Sequence, residues 1–173
     1  REIVVFEMDP AKVAPIQAAV QRGVVLAEAT NFARDLVNMP PNELTPGELA
    51  ERARRMAEEE GLECTVLERA DMERLGMGAL LGVAQGSANE PRLVVLRYDG
   101  RQGRDGGAAR GQASGGEPIA LVGKGVTFDT GGISLKPSDG MAAMKGDMAG
   151  AAAVLGAMRA IARLKPSRSV LGV

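Results

Sequence analysis

Residues 119–150 read IALVGKGVTFDTGGISLKPSDGMAAMKGDMAG. Ile119 to Val122 is an apolar run of the length and composition of a buried strand. Glycine breaks it at once, and the loop that follows carries Lys124, Asp129, Lys136, Lys145 and Asp147 before an alanine-rich helix begins near Met148. Strand, glycine-rich loop, helix is the unit from which α/β sheets are built, and such sheets place ligands at loops leaving the carboxyl ends of their strands. A loop that mixes lysines and aspartates with this much glycine is the candidate site.

Working outward, the flanks supply the remaining layers. Ile3 to Phe6 reads as the end of a strand. From Ala11 to Val37 apolar residues recur at three- and four-residue steps, as in a helix, with Pro15 in its first turns. Met39-Pro40-Pro41 ends that helix. Thr45, Pro46 and Glu48 form a helix start with the spacing of a capping box, and Gly61 is its stop. Leu62 to Leu67 reads as a strand, Asp71 to Leu75 as a short helix, Arg92 to Tyr98 as a strand, and Ser169 to Val173 as the start of another. The fold class expected is α/β, with a mixed, largely parallel sheet sandwiched by helices. Residues 99–117 are a low-complexity Gly/Arg-rich insert, read as a surface loop joining two strands.

Composition removes several functions. The 173 residues suffice for one domain, 45% of them are apolar, and the net charge is -1. That charge gives no support to nucleic acid or an anionic membrane as partner, and aromatics at 2% leave no stacking platform. Only Arg101, Arg104 and Arg110 offer a weak basic patch. No apolar run approaches the ~20 residues of a membrane span. A single cysteine, Cys64, excludes an internal disulfide framework and fits a reducing compartment. With no histidine, a Ser-His-Asp triad and a His-ligated zinc site are both excluded. No acidic residue follows Asp147, so further carboxylates for any site come from upstream or from elsewhere.

Three chemistries compete for the glycine-rich stretches. Gly76-Met77-Gly78 with Gly82 has the look of a dinucleotide-binding turn but lacks the strand before it; close packing of these glycines under a neighbouring loop is the expectation. Gly123-Lys124-Gly125 fails the phosphate-loop pattern, which needs a glycine five residues before the Gly-Lys pair and a hydroxyl residue after it. A metal site accounts for more: Asp129 and Asp147 are acceptor-only carboxylates suited to divalent cations. A lysine amine beside a dication donates a lone pair once it is deprotonated, and a charged lysine stabilises negative charge on a substrate oxygen. Asp147 has a second reading, as N-cap of the alanine-rich helix.

The stretches GKGVTFDTGGISLKP (123–137) and MKGDMAGAAAVLGAM (144–158) closely resemble the leucine aminopeptidase family, the two-zinc cytosol aminopeptidases. RDLVNMPPNELTP (34–46) and GMGALLGVAQGSANEPRLVVLRY (76–98) extend the resemblance over nearly the whole chain outside the insert. The resemblance implies that Lys124 is an uncharged ligand of one metal ion, Asp129 a carboxylate shared by two, and Asp147 a second carboxylate on the lysine-bound ion. It implies that Lys136 polarises the substrate carbonyl and that Met144 lines the pocket for a leucine-like side chain. It further implies two divalent ions, zinc or manganese, a bicarbonate general base, peptide substrates, a homo-hexamer and a cytoplasmic location. By the same comparison residues 1–9 are the tail of an N-terminal domain, 10–37 a connecting helix, and 38–173 the first half of the catalytic domain. On that layout the family's later carboxylates and its bicarbonate-holding arginine lie past Val173, and the 173 residues alone are expected to be nearly inactive.

Overall fold

The computed structural model describes residues 3–100 and 117–173. The insert expected at 99–117, with its arginines at 101, 104 and 110, therefore lies almost wholly outside the described residues. In chain order the elements are α1 (Pro10–Asn38), α2 (Pro46–Glu60), β1 (Glu63–Leu67), α3 (Arg69–Arg74), α4 (Gly78–Ala84), β2 (Leu93–Tyr98), β3 (Ile119–Leu121), a 3-10 turn (Met141–Gly146), α5 (Ala149–Leu164) and β4 (Val170–Gly172). The strands form one mixed sheet in the order β1-β2-β4-β3. β1–β2 and β2–β4 are antiparallel, and the parallel pairing is confined to β3 and β4, the two strands joined through α5.

Local chemistry explains the helix ends. Asp9 accepts from the Ala11 amide at the start of α1, and Pro10 occupies the first turn, where its missing N–H is no loss. Thr45 Oγ1 accepts from the Glu48 amide at 3.3 Å, as expected. The Glu48 carboxylate does not complete the reciprocal box; it turns along the helix to Arg52 at 2.8 Å. Gly61 ends α2 in the left-handed conformation, and Leu62 N–H returns to the Ala57 carbonyl at 2.8 Å.

The core gathers on one face of the sheet. Leu96, Tyr98 and Val170 meet Leu36 of α1, Ala53 and Met56 of α2, and Ala152, Leu155 and Met158 of α5. Alternation along the strands turns Glu63, Thr65 and Arg97 outward, and Glu63 pairs across the ladder with Arg97 at 3.7 Å. α1 packs on α5 only through its C-terminal half. Ala29 and Leu36 are buried there, whereas Val13, Val20 and Val24 remain 43–49% exposed. Gly156 permits the approach, since a Cβ at that position would stand 2.8 Å from the Ala29 carbonyl oxygen. A second clamp joins the three helices: Glu60 of α2 receives Arg159 and Arg163 of α5, and Arg163 also reaches Glu28 of α1.

Three expectations are corrected. Ile3 to Phe6 is exposed chain rather than strand, because no described strand pairs with it. β3 lies at the edge of the described sheet, so Ile119 is 46% exposed rather than buried. Gly76, Gly78, Gly82 and Gly86 do not mediate close packing: a Cβ at any of them meets nothing within 4 Å. Gly76 instead serves the backbone, at φ +69° after α3, and the run beyond it is the helix α4.

Candidate metal centre

The two halves of the organising loop are held together by backbone contact. Gly123 N–H donates to the Val173 carbonyl at 2.8 Å, which carries the loop away from the end of β3 beside β4. The chain then lies directly over the first turn of α5. The Ala151 amide donates to the Lys124 carbonyl at 2.9 Å, and a Cβ on Gly123 would stand 2.5 Å from the Gly150 carbonyl oxygen. Only glycine at 123 lets Lys124 come this near to the residues after Asp147. The Lys124 ammonium accordingly pairs with the Asp147 carboxylate. Asp147 is not the N-cap of α5: the helix starts at Ala149, and its cap position, Met148, makes no side-chain hydrogen bond.

A second cluster forms within the loop itself. Asp129 accepts from the Gly131 amide at 2.9 Å and from the Lys136 ammonium at 2.8 Å. The turn that brings them together needs Gly131, at φ +93°, where a Cβ would collide with the Ser134 carbonyl at 2.3 Å. Lys136 N–H returns to the Thr130 carbonyl at 2.9 Å, closing the loop. The Lys136 ammonium also reaches the Met144 sulfur at 2.9 Å. Hydrogen bonding from Lys136 is the main cause, and the Gly131 amide the next, of an Asp129 carboxyl held below the usual carboxylate range; the charge of Lys124 acts in the same direction. That last influence places Lys124 within electrostatic reach of both aspartates.

All five residues singled out in the sequence thus fall into two adjoining clusters, Lys124 with Asp147 and Asp129 with Lys136 and Met144. Their donor set is one amine nitrogen and two carboxylates, each open to solvent; the side chain of Asp147 is 22% exposed and that of Asp129 39%. Hard and borderline divalent ions accept such donors. Among the described residues no group of three or more His, Cys, Asp or Glu gathers as a cation cage, so the donors fit one ion in part and a second ion less well. Beside the clusters, a largely apolar cavity of about 430 Å³ is lined by Leu49, Leu80, Val83, Leu93, Phe128 and Val154, with Lys124 at its wall.

Sequence reasoning gave Lys145 no role. It donates to the carbonyl of Asn38, the last residue of α1, at 3.2 Å, and this contact spans 107 positions of sequence, which local spacing does not reveal.

Residues 31–173 match the model of the cytosol aminopeptidase family, catalytic domain. The chain belongs to that family. It is 61% identical over 152 residues to a probable cytosol aminopeptidase of Solibacter usitatus, a match covering 88% of this chain and 30% of that protein. It is 51% identical over 173 residues to a probable cytosol aminopeptidase of Alkaliphilus metalliredigens, covering all of this chain and 32% of the relative. The chain therefore spans about a third of the length of these curated relatives. Among solved structures it resembles the bottromycin maturation enzyme BotP in complex with Mn, with a TM-score of 0.78 at 46% identity over 91% of this chain and 32% of that one. It also resembles the apo leucyl aminopeptidase of Trypanosoma cruzi, with a TM-score of 0.76 at 32% identity over 88% of this chain and 28% of that one. These likenesses bear out the expected α/β class and the catalytic-domain resemblance. No described helix is long and apolar enough to cross a membrane.

Proposed function

We propose that the chain forms part of the catalytic domain of a metal-dependent aminopeptidase that releases leucine-like N-terminal residues from peptides. The observation that supports this most is the convergence of Lys124 and Asp147 beside Asp129, Lys136 and Met144, in a family whose members are cytosol aminopeptidases. Lys124, Asp129 and Asp147 would hold one divalent cation, with Asp129 able to share a second whose other donors the described residues do not supply. A cation held there would polarise a peptide carbonyl, acidify water and anchor a free amino group, which favours exopeptidase over endopeptidase chemistry. Manganese is the ion named with BotP and supports manganese here; zinc is the other ion that the resemblance implies.

The side chains then divide the work. A cation on Asp129 would compete with Lys136 for that carboxylate, and the Lys136 ammonium would then be available to donate toward the substrate carbonyl oxygen as charge develops on it. Met144, already in contact with Lys136, sets the wall against which the first side chain of the peptide packs. Bicarbonate as general base, a homo-hexamer, a cytoplasmic location and residues 10–37 as a connector from an N-terminal domain complete the proposal for the whole protein.

The test is turnover of leucine 4-nitroanilide with Mn²⁺ by the protein that carries this chain, compared with Asp129→Asn and Lys136→Ala. Lys136→Ala should lower kcat by about 10²–10³, the range for loss of one donor to a developing oxyanion, and Asp129→Asn, which removes a charged cation ligand, should lower it at least as far, with the fold kept in both. Near-normal turnover by either variant rejects the assignment.

A further inference from the structure

We propose that Lys145 is a positioning residue: its ammonium, docked on the terminal carbonyl of α1, sets where Met144 and Asp147 stand against Lys136 and Lys124. This rests on the aminopeptidase reading of those four residues. Lys145 lies between Met144 and Asp147 in a segment that has little else to hold it. The 3-10 turn Met141–Gly146 has no buried residue and no side-chain cap. Its firm attachment comes after it, at Met148, which is fully buried in the core.

Two contacts tie the turn to α1. Lys145 Nζ donates to the Asn38 carbonyl at 3.2 Å, and Gly146 lies against Val37, whose Cγ1 is 3.7 Å from where a Cβ would stand. α1 has no basic residue in its own last turn, so its carbonyl end carries uncompensated partial negative charge. The Lys145 ammonium meets that need. The exchange fixes the turn at its C-terminal end, which the Asp147 amide spans by donating to the Met144 carbonyl at 3.1 Å. Lys145 itself points at α1 and at neither cluster, so its effect on the site is indirect. Release of this tether lets the turn drift, and a displacement of an ångström at a ligand or a pocket wall is enough to lower turnover steeply.

The experiment compares the unsubstituted protein with Lys145→Met and Lys145→Arg, reading kcat and KM for leucine 4-nitroanilide, Mn²⁺ affinity by the electron paramagnetic resonance signal of free Mn²⁺, and melting temperature. Lys145→Met should lower kcat about 10–100-fold and weaken Mn²⁺ binding, with little change in melting. Lys145→Arg, which still donates to a carbonyl, should return both to within about threefold of the unsubstituted protein. Should Lys145→Met fail to fold, Lys145→Gln is read in its place against the same outcomes. Wild-type kcat and Mn²⁺ affinity in the Met or Gln variant overturns the inference, as does failure of a folded Lys145→Arg to rescue. A lowered melting temperature with unchanged kcat per folded molecule also overturns it, because the role is then only structural. If the unsubstituted protein neither binds Mn²⁺ nor turns over the substrate, the aminopeptidase reading itself is wrong, and the comparison shows that separately.

Discussion

Glu60 is the residue whose loss the fold should feel most among its charged groups. Its side chain is 8% exposed at the end of α2, where it accepts from Arg159 Nε at 3.0 Å and from Arg163 at 2.6–2.9 Å. Breaking a buried ion pair by removing one partner costs about 3–5 kcal/mol, since the remaining charge is left without compensation. Here the arginines are 21% and 30% exposed and keep other partners: Arg159 stacks 5.2 Å over Phe32, and Arg163 holds Glu28. Water and these contacts recover part of the loss, so Glu60→Gln should destabilise by about 2–3 kcal/mol. For a chain of this size that is a fall in melting temperature of roughly 5–10 °C. The pH dependence follows from the same contacts. Hydrogen bonds from Arg163 and then Arg159 hold the folded carboxyl below its ordinary value of 4.5, against the opposing effect of burial. The unfolded chain therefore binds the proton first on acidification, and stability rises with pH through this range. The gap between unsubstituted and Glu60→Gln chains should be complete at pH 7, begin to close near pH 4.5, and vanish at lower pH as the folded carboxyl also protonates. Urea unfolding at a series of pH values measures it. A gap under about 0.5 kcal/mol at pH 7, the scatter of ordinary surface substitutions, would refute the clamp.

Three further outcomes are expected. Gly123→Ala should destabilise by about 1–3 kcal/mol and separate Lys124 from Asp147, because the added methyl meets the Gly150 carbonyl at 2.5 Å; urea unfolding together with Mn²⁺ titration reports both effects. Tyr98→Phe should cost about 1 kcal/mol in the same unfolding assay, through loss of the 2.9 Å hydrogen bond to the Pro166 carbonyl, with no effect on Mn²⁺ affinity. Saturating Mn²⁺ should raise the melting temperature, by the equivalent of about 2.7 kcal/mol at a hundredfold excess over Kd, and a chelator or Asp147→Asn should remove that rise.

The parts of the molecule legible in the sequence are those whose determinants are local. Thr45-Pro46 and Gly61 bound α2 because capping acts within one turn, and β1, β2 and α5 follow from periodicity. The five residues of the candidate site were legible for another reason. All five lie within one short loop-and-turn segment, 124–147, where Gly131 permits the tight turn that brings Asp129 to Lys136. What stayed hidden was set at long range. Ile3 to Phe6 has strand composition, yet a strand exists only where a partner offers its backbone, and none of the described strands does so. Gly76 to Gly86 had the composition of a packed backbone, but packing needs a neighbour, and the structure puts open space there. Lys145 shows the converse. Its neighbours in sequence suggest a solvated lysine, and only the return of α5 along α1 brings the 3-10 turn to the carbonyl of Asn38. The same helix packing that depends on Gly156 and Glu60 thus decides where Met144 and Asp147 stand. On this argument a substitution that loosens α1 from α5 should weaken Mn²⁺ binding as well as stability, although it touches no donor. Gly156→Leu, which drives a side chain into the Ala29 carbonyl, is the sharpest case: Mn²⁺ affinity unchanged in a folded Gly156→Leu chain would separate the site from the helix packing and refute the link.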